Sequence, residues 1–456
     1  VNKYQDLFHQ QNRFFNGGDT LPLKTRTDAI RSIGNELRKQ GKQISEAVYE
    51  DLHKSDLELL TTEISGILHE IKWVSSKLRR WTRPGKVRTN LVNIPARSRI
   101  LLEPYGQTLI IGTWNYPFLL NVKPAVSALA AGNTVIIKPS EHSPHSSAMI
   151  RSVISAAVSP QHCSVVLGGI PDISELLELP FDKIFFTGST AVGQLVMTAA
   201  ARHLSSLTLE LGGKSPAIVL PDAALAVAAR RIVWGKFLNA GQTCIAPDYV
   251  LVHESVAGQL VDLMAGQILA MFGKDPSKSG SYGRIVDQRH FDRLVSLIDI
   301  QKTVTGGMHN REELYISPTV IYPAGFSDPV MQEEIFGPVL PVIPFRSLPE
   351  MVTRIKSMPK PLALYLFSQS ASEQKNILSS ISFGGGCVND TVMHIANPYL
   401  PFGGVGPSGT GRYHGKAGIY EFSNRKSILY KSTWIDPSVR YPPFGAIKEK
   451  ILRKLL

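Results

Sequence analysis

Lys183-Ile-Phe-Phe-Thr-Gly-Ser-Thr-Ala-Val-Gly193 reads as a short apolar strand, Lys183 to Phe186, running directly into a GSxxxG turn and then a helix. At such a junction the backbone N–H groups of the turn and the positive end of the helix dipole favour a phosphate. The pattern is not the GxGxxG fingerprint, and its weight comes from repetition along the chain. Thr108-Leu-Ile-Ile111 and Thr134-Val-Ile-Ile137 are two further apolar strands, each followed by a turn-rich motif and separated by helical stretches. This alternation predicts βαβ units and a parallel sheet covered by helices on both faces. Ligands of open α/β sheets bind beyond the carboxyl ends of the strands, which is where each of these motifs falls.

Further along, Phe237-Leu-Asn-Ala-Gly-Gln-Thr-Cys244-Ile-Ala-Pro247-Asp248 sets a thiol between Gly241 and Pro247. A turn-forming context of this kind argues against the middle of a regular element and for a sulfur open to substrate. The competing reading is a small buried hydrophobe, the usual state of a free cysteine. Two other residues favour chemistry: Glu210 in Leu207-Thr-Leu-Glu210-Leu-Gly-Gly-Lys214, and Asn115 in Gly112-Thr-Trp-Asn115-Tyr-Pro-Phe118. A nucleophile, a carboxylate able to activate water and an amide able to donate to an oxyanion form a complete set for acyl chemistry.

Composition narrows the setting. A chain of 456 residues, 43% hydrophobic, supports two or three packed lobes with a cleft between them. Its polar first residues and the lack of any run of about 18 apolar residues predict a protein that is neither exported nor membrane-spanning, and a cytoplasmic location. Cys163, Cys244 and Cys387 are widely spaced, with no CxxC, and the histidines, His142, His145, His394 and His414 among them, lack ligand spacing. A disulfide framework and a metal site are therefore not expected. The formal net charge is +12. One basic cluster runs from Lys77 to Arg99, and another closes the chain, where Lys448, Lys450, Arg453 and Lys454 interleave with Ile447, Ile451, Leu452 and Leu455. That tail is basic and amphipathic; it either packs against its own protein or makes weak contact with an anionic membrane surface. Nucleic acid is not expected as a partner, since no binding-motif signature accompanies the charge. Residues 28 to 81 read as two long amphipathic helices.

In the asparagine loop at 112 to 118, Lys138-Pro-Ser-Glu141, Phe186-Thr-Gly-Ser189, Glu210-Leu-Gly-Gly213, Gly241-Gln-Thr-Cys244 and Glu333-Glu-Ile-Phe-Gly-Pro338, taken in that order, the chain resembles the aldehyde dehydrogenase superfamily. It looks most like the class 3 and fatty aldehyde branch, through its short N-terminus, Cys244-Ile-Ala-Pro-Asp248, Gly411-Arg-Tyr-His-Gly-Lys416 and Arg440-Tyr-Pro-Pro443. The resemblance implies an α/β fold: a Rossmann-like NAD(P)-binding domain at 1–82 and 101–208, a catalytic α/β domain at 209–410, a small β bridging and oligomerisation element at 83–100 and 426–445, and the tail at 446–456. It also implies oxidation of aldehydes to carboxylic acids and a homodimer, while the apolar wall candidates Tyr116, Trp114 and Ile245 point to medium-chain aliphatic or aromatic aldehydes. A semialdehyde substrate, coenzyme A as acyl acceptor and a non-catalytic binding protein are the competing readings.

Site roles follow from both lines. Cys244 attacks the aldehyde, Asn115 and the Cys244 backbone N–H hold the oxyanion, and Glu210 activates water; Glu334 rivals Glu210 as base, while the resemblance assigns Glu334 to the nicotinamide ribose with Phe336 nearby. Expected around the cofactor are Thr113, Trp114, Gly188, Ser189, Val192, Gly193, Leu211 and Gly212. Lys138 and Glu141 suit the adenosine ribose hydroxyls, or form an ion pair after a turn. A carboxylate at Glu141 disfavours a 2′-phosphate, so NAD is the preferred cofactor and NADP the second. Tyr116, Ile245 and Phe402 are the expected substrate walls.

Overall fold

The computed structural model describes residues 2–455; Val1 and Leu456, the outer ends of the expected cofactor domain and tail, lie outside the described residues. Three sheets carry the architecture beside a short two-stranded ribbon. The first has the spatial order 409–410, 206–210, 183–187, 107–111, 134–138, 163–165, all parallel except the edge pair at 409–410. Its inner strands Gln107–Ile111, Thr134–Lys138 and Lys183–Thr187 are buried along their whole length. Successive side chains leave a strand on opposite faces. Ile110, Val135, Ile137 and Phe185 accordingly share one cluster with the helices Leu23–Lys39, Pro117–Ala131 and Pro144–Ala157. Leu109, Ile111, Ile136, Ile184 and Phe186 share the other with Gln5–Asn16, Ile170–Leu177 and Thr190–His203. Both faces are thus covered, which lets strands with no polar side stay in place.

The second sheet runs 303–305, 319–321, 339–345, 249–253, 216–219, 363–367, 385–388, parallel apart from its first pair. The third is antiparallel: Gly85–Val87, Ala96–Pro104 and Ser423–Lys431, the last two paired from Ser423 opposite Pro104 to Lys431 opposite Ala96.

Two expectations need correction, and the bridging segment and the tail can be described in more detail. The stretch 28–81 is not two helices: Leu23–Lys39 ends at Gln40, Gly41–Leu52 follows as a separate helix, and the remainder, Asp56–Trp81, contains a π turn at Leu60–Ile64. The apolar period continues across the Gln40 break, so hydrophobic spacing alone does not reveal it. In the expected bridging segment 426–445, the strand Ser423–Lys431 covers residues to Lys431, and 432–445 contains a single 3-10 turn at Ser438–Arg440. The tail, for which packing and membrane contact were both open, forms the helix Ala446–Leu455 with Ile447 78% and Ile451 44% exposed. Finally, Glu254–Phe272 is apolar and long enough by composition to cross a membrane. It buries Ala257, Leu260, Val261, Met264 and Ile268 against the helix Leu225–Phe237 and the second sheet.

Candidate active site

The two parallel sheets meet the same cleft with opposite ends of their strands. From the first sheet come carboxyl ends: Thr113, Trp114 and Asn115 after strand 107–111, Gly188 and Ser189 after 183–187, and Glu210 closing 206–210. From the second come the loops that enter strands: Leu211 and Gly212 before 216–219, Cys244 before 249–253, and Glu334 with Phe336 before 339–345. All of these residues line one cavity of about 420 Å³. Leu120, His290, Arg293 and Glu333 line it too and were not foreseen.

Cys244 is presented by a strained approach. Asn239 and Ala240 hold φ of 52° and 50° and Gly241 of 77°, three left-handed residues in succession. A Cβ at Gly241 would lie 2.3 Å from the Gly337 carbonyl oxygen, so only glycine fits there. The thiol itself is half-buried, and burial pushes its pKa well up, with the charges of Glu334 and Glu210 adding to the effect.

Asn115 donates from Nδ2 to the Gln242 carbonyl at 2.9 Å, two residues before the thiol, which leaves its second N–H available. The loop that carries it rests on a fully buried ion pair. Lys54 Nζ lies 2.7 Å from Glu63 Oε1 and donates to the Asn115 carbonyl at 3.0 Å. Glu63 Oε2 accepts from the Phe118 and Leu119 amides at 2.9 and 3.1 Å, the first turn of helix Pro117–Ala131. An acidic side chain at a helix N-terminus is favoured by the dipole. Lys54 and Glu63 therefore position the asparagine loop. In sequence they look like the polar face of an amphipathic stretch, and nothing in their spacing marks them.

The two carboxylates differ in their surroundings. Both oxygens of Glu210 are buried without a hydrogen-bond partner among the described residues, and burial raises its pKa well above the ordinary range, Glu421 adding and Arg412 opposing. Glu334 is pushed up to about 8, by burial first and then by Asp248, with the Gly213 amide opposing. It lies against the backbone: a Cβ at Gly212 would meet its Oε2 at 2.0 Å. Its loop is held by Lys214, which pairs with Asp248 at 2.6 Å and donates to the Glu333 carbonyl at 2.8 Å. Asp248 Oδ1 in turn accepts from the Ile335 amide at 3.0 Å, and Arg293 donates to the Ile335 carbonyl at 2.6 Å.

Several expected residues do not line the cavity. Lys138 and Glu141 pair with each other at 3.2 Å, and Lys138 donates to the Pro139 carbonyl at 2.7 Å. Val192 and Gly193 lie within the helix Thr190–His203, whose N-cap, Ser189, accepts from the Val192 amide at 3.4 Å. Tyr116 is buried, its hydroxyl 2.6 Å from Thr243 Oγ1 beside the thiol. Ile245 is buried with its carbonyl accepting from Tyr365 at 2.5 Å, and Phe402 is buried against His414.

The residues present fit a nicotinamide dinucleotide. The helix of Thr190–His203 aims its N-terminus at the cavity through Gly188, Ser189 and Thr190, a site for phosphate, and Gly212 leaves the room beside Glu334 that a side chain would fill. No group of three or more His, Cys, Asp or Glu side chains disposed to hold a metal occurs among the described residues.

A parallel α/β cofactor fold facing a thiol, an amide and a buried carboxylate defines an oxidoreductase of the acyl-forming kind. The chain belongs to the aldehyde dehydrogenase family, whose model matches residues 4–428, and within it to the class 3 branch. It is 43% identical to 4,4'-diaponeurosporen-aldehyde dehydrogenase of Staphylococcus aureus, over 97% of each chain. It is 43% identical to the dimeric NADP-preferring aldehyde dehydrogenase of Mus musculus, over 95% of this chain and 96% of that one. A solved structure, the substrate-bound state of Staphylococcus aureus AldH, superposes with a TM-score of 0.97 at 42% identity, covering 100% of both chains. The protein is an NAD(P)-dependent enzyme that oxidises aldehydes.

Proposed function

We propose that Cys244, Asn115 and Glu210 carry out this oxidation on medium-chain aliphatic or aromatic aldehydes, through a covalent intermediate on Cys244. The observation that carries the proposal is that all three line one cavity together with the phosphate-suited turn at Gly188 and Ser189. Cys244 gives its proton to water and adds as the thiolate to the aldehyde carbon, giving a thiohemiacetal whose oxyanion is met by the free Asn115 N–H and the Cys244 backbone N–H. An oxidised nicotinamide dinucleotide, held at Gly188, Ser189 and Gly212, would supply the hydride acceptor. Loss of hydride leaves a thioester on Cys244. Water, giving its proton to Glu210, attacks the thioester carbon and releases the acid and the thiol. Glu210 suits the base because its oxygens have no competing partner, whereas Glu334 lies against the Gly212 backbone.

The decisive experiment is rapid mixing of two variants with aldehyde and cofactor. Glu210→Gln should show a burst of reduced cofactor and accumulate thioester; Glu334→Gln should lose the burst rate itself. Steady turnover near wild type in Glu210→Gln would remove Glu210 from the role.

NAD is proposed as the preferred cofactor on the strength of Glu141, and its pairing with Lys138 supports tolerance of NADP, the cofactor named for the mouse relative. A homodimer is supported by that relative's name and by the bridging sheet, whose outer strand Ser423–Lys431 exposes Leu429 and Tyr430. A cytoplasmic site with weak membrane-surface contact is supported by the exposed Ile447 and Ile451 among the tail lysines; sedimentation with anionic vesicles tests it.

A further inference from the structure

Asp248 is buried in the loop that also carries Cys244, yet it has no part in the chemistry at the thiol. Its contacts reach three separate segments. Its own amide donates to the Ser215 carbonyl at 2.8 Å. Its Oδ2 meets Nζ of Lys214 at 2.6 Å, and its Oδ1 accepts at 3.0 Å from the amide of Ile335, the residue after Glu334. Lys214 follows the Gly212–Gly213 turn and donates its other two hydrogens to the Val330 and Glu333 carbonyls, at 3.0 and 2.8 Å. All the donors of the ammonium are thereby committed.

Residues 334–336 form neither helix nor strand, so their backbone polar groups need partners from elsewhere. Asp248 holds the Ile335 amide, and Arg293 holds the Ile335 carbonyl at 2.6 Å. Glu334 and Phe336, on either side of Ile335, both line the cavity, whereas Asp248 and Lys214 stand behind it. A buried ion pair contributes little net stability beside apolar packing, and its best attested use is to select one arrangement of the groups around it. Here the groups are the thiol loop, the glycine turn and the carboxylate loop, which together make the second sheet's edge of the cleft.

We propose that Asp248 is a positioning residue for hydride transfer: with Lys214 it fixes the Glu334 loop relative to the Cys244 loop, and the oxidation step depends on that spacing. The inference rests on the catalytic reading of Cys244 and on Glu334 as a cofactor contact. Thioester hydrolysis draws on Glu210, which closes a strand of the first sheet, and does not pass through this linkage.

The test compares wild type, Asp248→Asn, Lys214→Met and the double variant in three measurements. The burst of reduced cofactor on rapid mixing with aldehyde should slow by about tenfold or more in all three variants, since small misplacements of reacting groups cost rate on that scale. Hydrolysis of p-nitrophenyl acetate without cofactor uses the same thiol: the ester acylates Cys244 with loss of nitrophenolate, and water then frees acetate. That rate should stay within about threefold of wild type. Melting temperature should fall in each single variant, which leaves a buried charge unpaired, and recover in the double variant, where both charges are gone. A burst that recovers together with the melting temperature in the double variant makes Asp248 a structural residue only and overturns the proposal. An unchanged burst in Asp248→Asn, or ester hydrolysis that falls in step with the burst, overturns it as well. The double variant decides the matter if a single variant does not fold. Failure of the underlying readings looks different: turnover would survive Cys244→Ser, or the burst would survive Glu334→Gln.

Discussion

The edges of the two parallel sheets that face the cleft teach different lessons. The first sheet offers the carboxyl ends of its strands, the usual ligand side of an open α/β sheet, and three apolar strands read in sequence lead straight to it. The second offers the loops that precede its strands, and there the rule points away from the site. Cys244, Glu334 and Phe336 all stand on this second edge. Their signal is conformational: Phe336, with a φ of 50°, joins the left-handed run at Asn239–Gly241 among the strained residues of the site. Strain of this sort costs on the order of 1–3 kcal/mol for each residue and persists where the surroundings enforce it.

The division of labour between the edges can be broken at either side. The largest effect is expected at the second edge, where Cys244→Ser should lower kcat by roughly a thousandfold or more while leaving cofactor binding, followed by fluorescence quenching, intact. Retained turnover would remove the second edge from the chemistry. On the first edge, Glu63→Ala should destabilise the fold by about 3–5 kcal/mol, because it leaves Lys54 buried and unpaired and strips the Phe118 and Leu119 amides of their acceptor. Denaturant melts measure this. Asn115→Ala, acting on the chemistry alone, should cost roughly a hundredfold in kcat with the melt nearly unchanged, the scale of one lost oxyanion donor.

The smallest effect concerns charge. Glu334 holds its proton to about pH 8 in the folded protein. An unfolded glutamate releases it near pH 4.3. Between those values the native state binds the extra proton, so the contribution of this group to stability falls as pH rises and is flat above the folded pKa. Glu334→Gln escapes that loss, and its Tm relative to wild type should climb from pH 5 to pH 9 by an amount on the order of a few degrees. Above pH 8, where Glu334 is ionised, the variant should also alkylate faster at Cys244 with iodoacetamide, since a negative charge that raises the thiol pKa is gone. A Tm difference independent of pH would mean that Glu334 is ionised across the whole range.

Periodicity made the first sheet legible, because a buried parallel strand must be apolar on both faces and Thr108–Ile111, Thr134–Ile137 and Lys183–Phe186 are. It failed at Gln40, where a helix breaks without any change in apolar spacing, and in the tail, where amphipathic spacing does not say what covers the stripe. At the site, residues in motifs were legible and residues acting through motifs were not. Lys54, Glu63 and Arg293 lie far in sequence from what they hold, and a lysine or glutamate on an amphipathic helix looks solvated until the helix is placed.

The sequence by itself determined the parallel α/β class, the thiol in its turn and the candidate carboxylates, because these are local properties of residue type and spacing. Tertiary structure alone decided that the two sheets present opposite strand ends to one cavity, that Lys138 and Glu141 lie outside the cavity lining and pair with each other, and that both Glu210 oxygens are buried without a partner among the described residues. The reason is physical: burial, pKa and partnership belong to what surrounds a group in space, and long-range packing sets those surroundings after the local pattern has been satisfied.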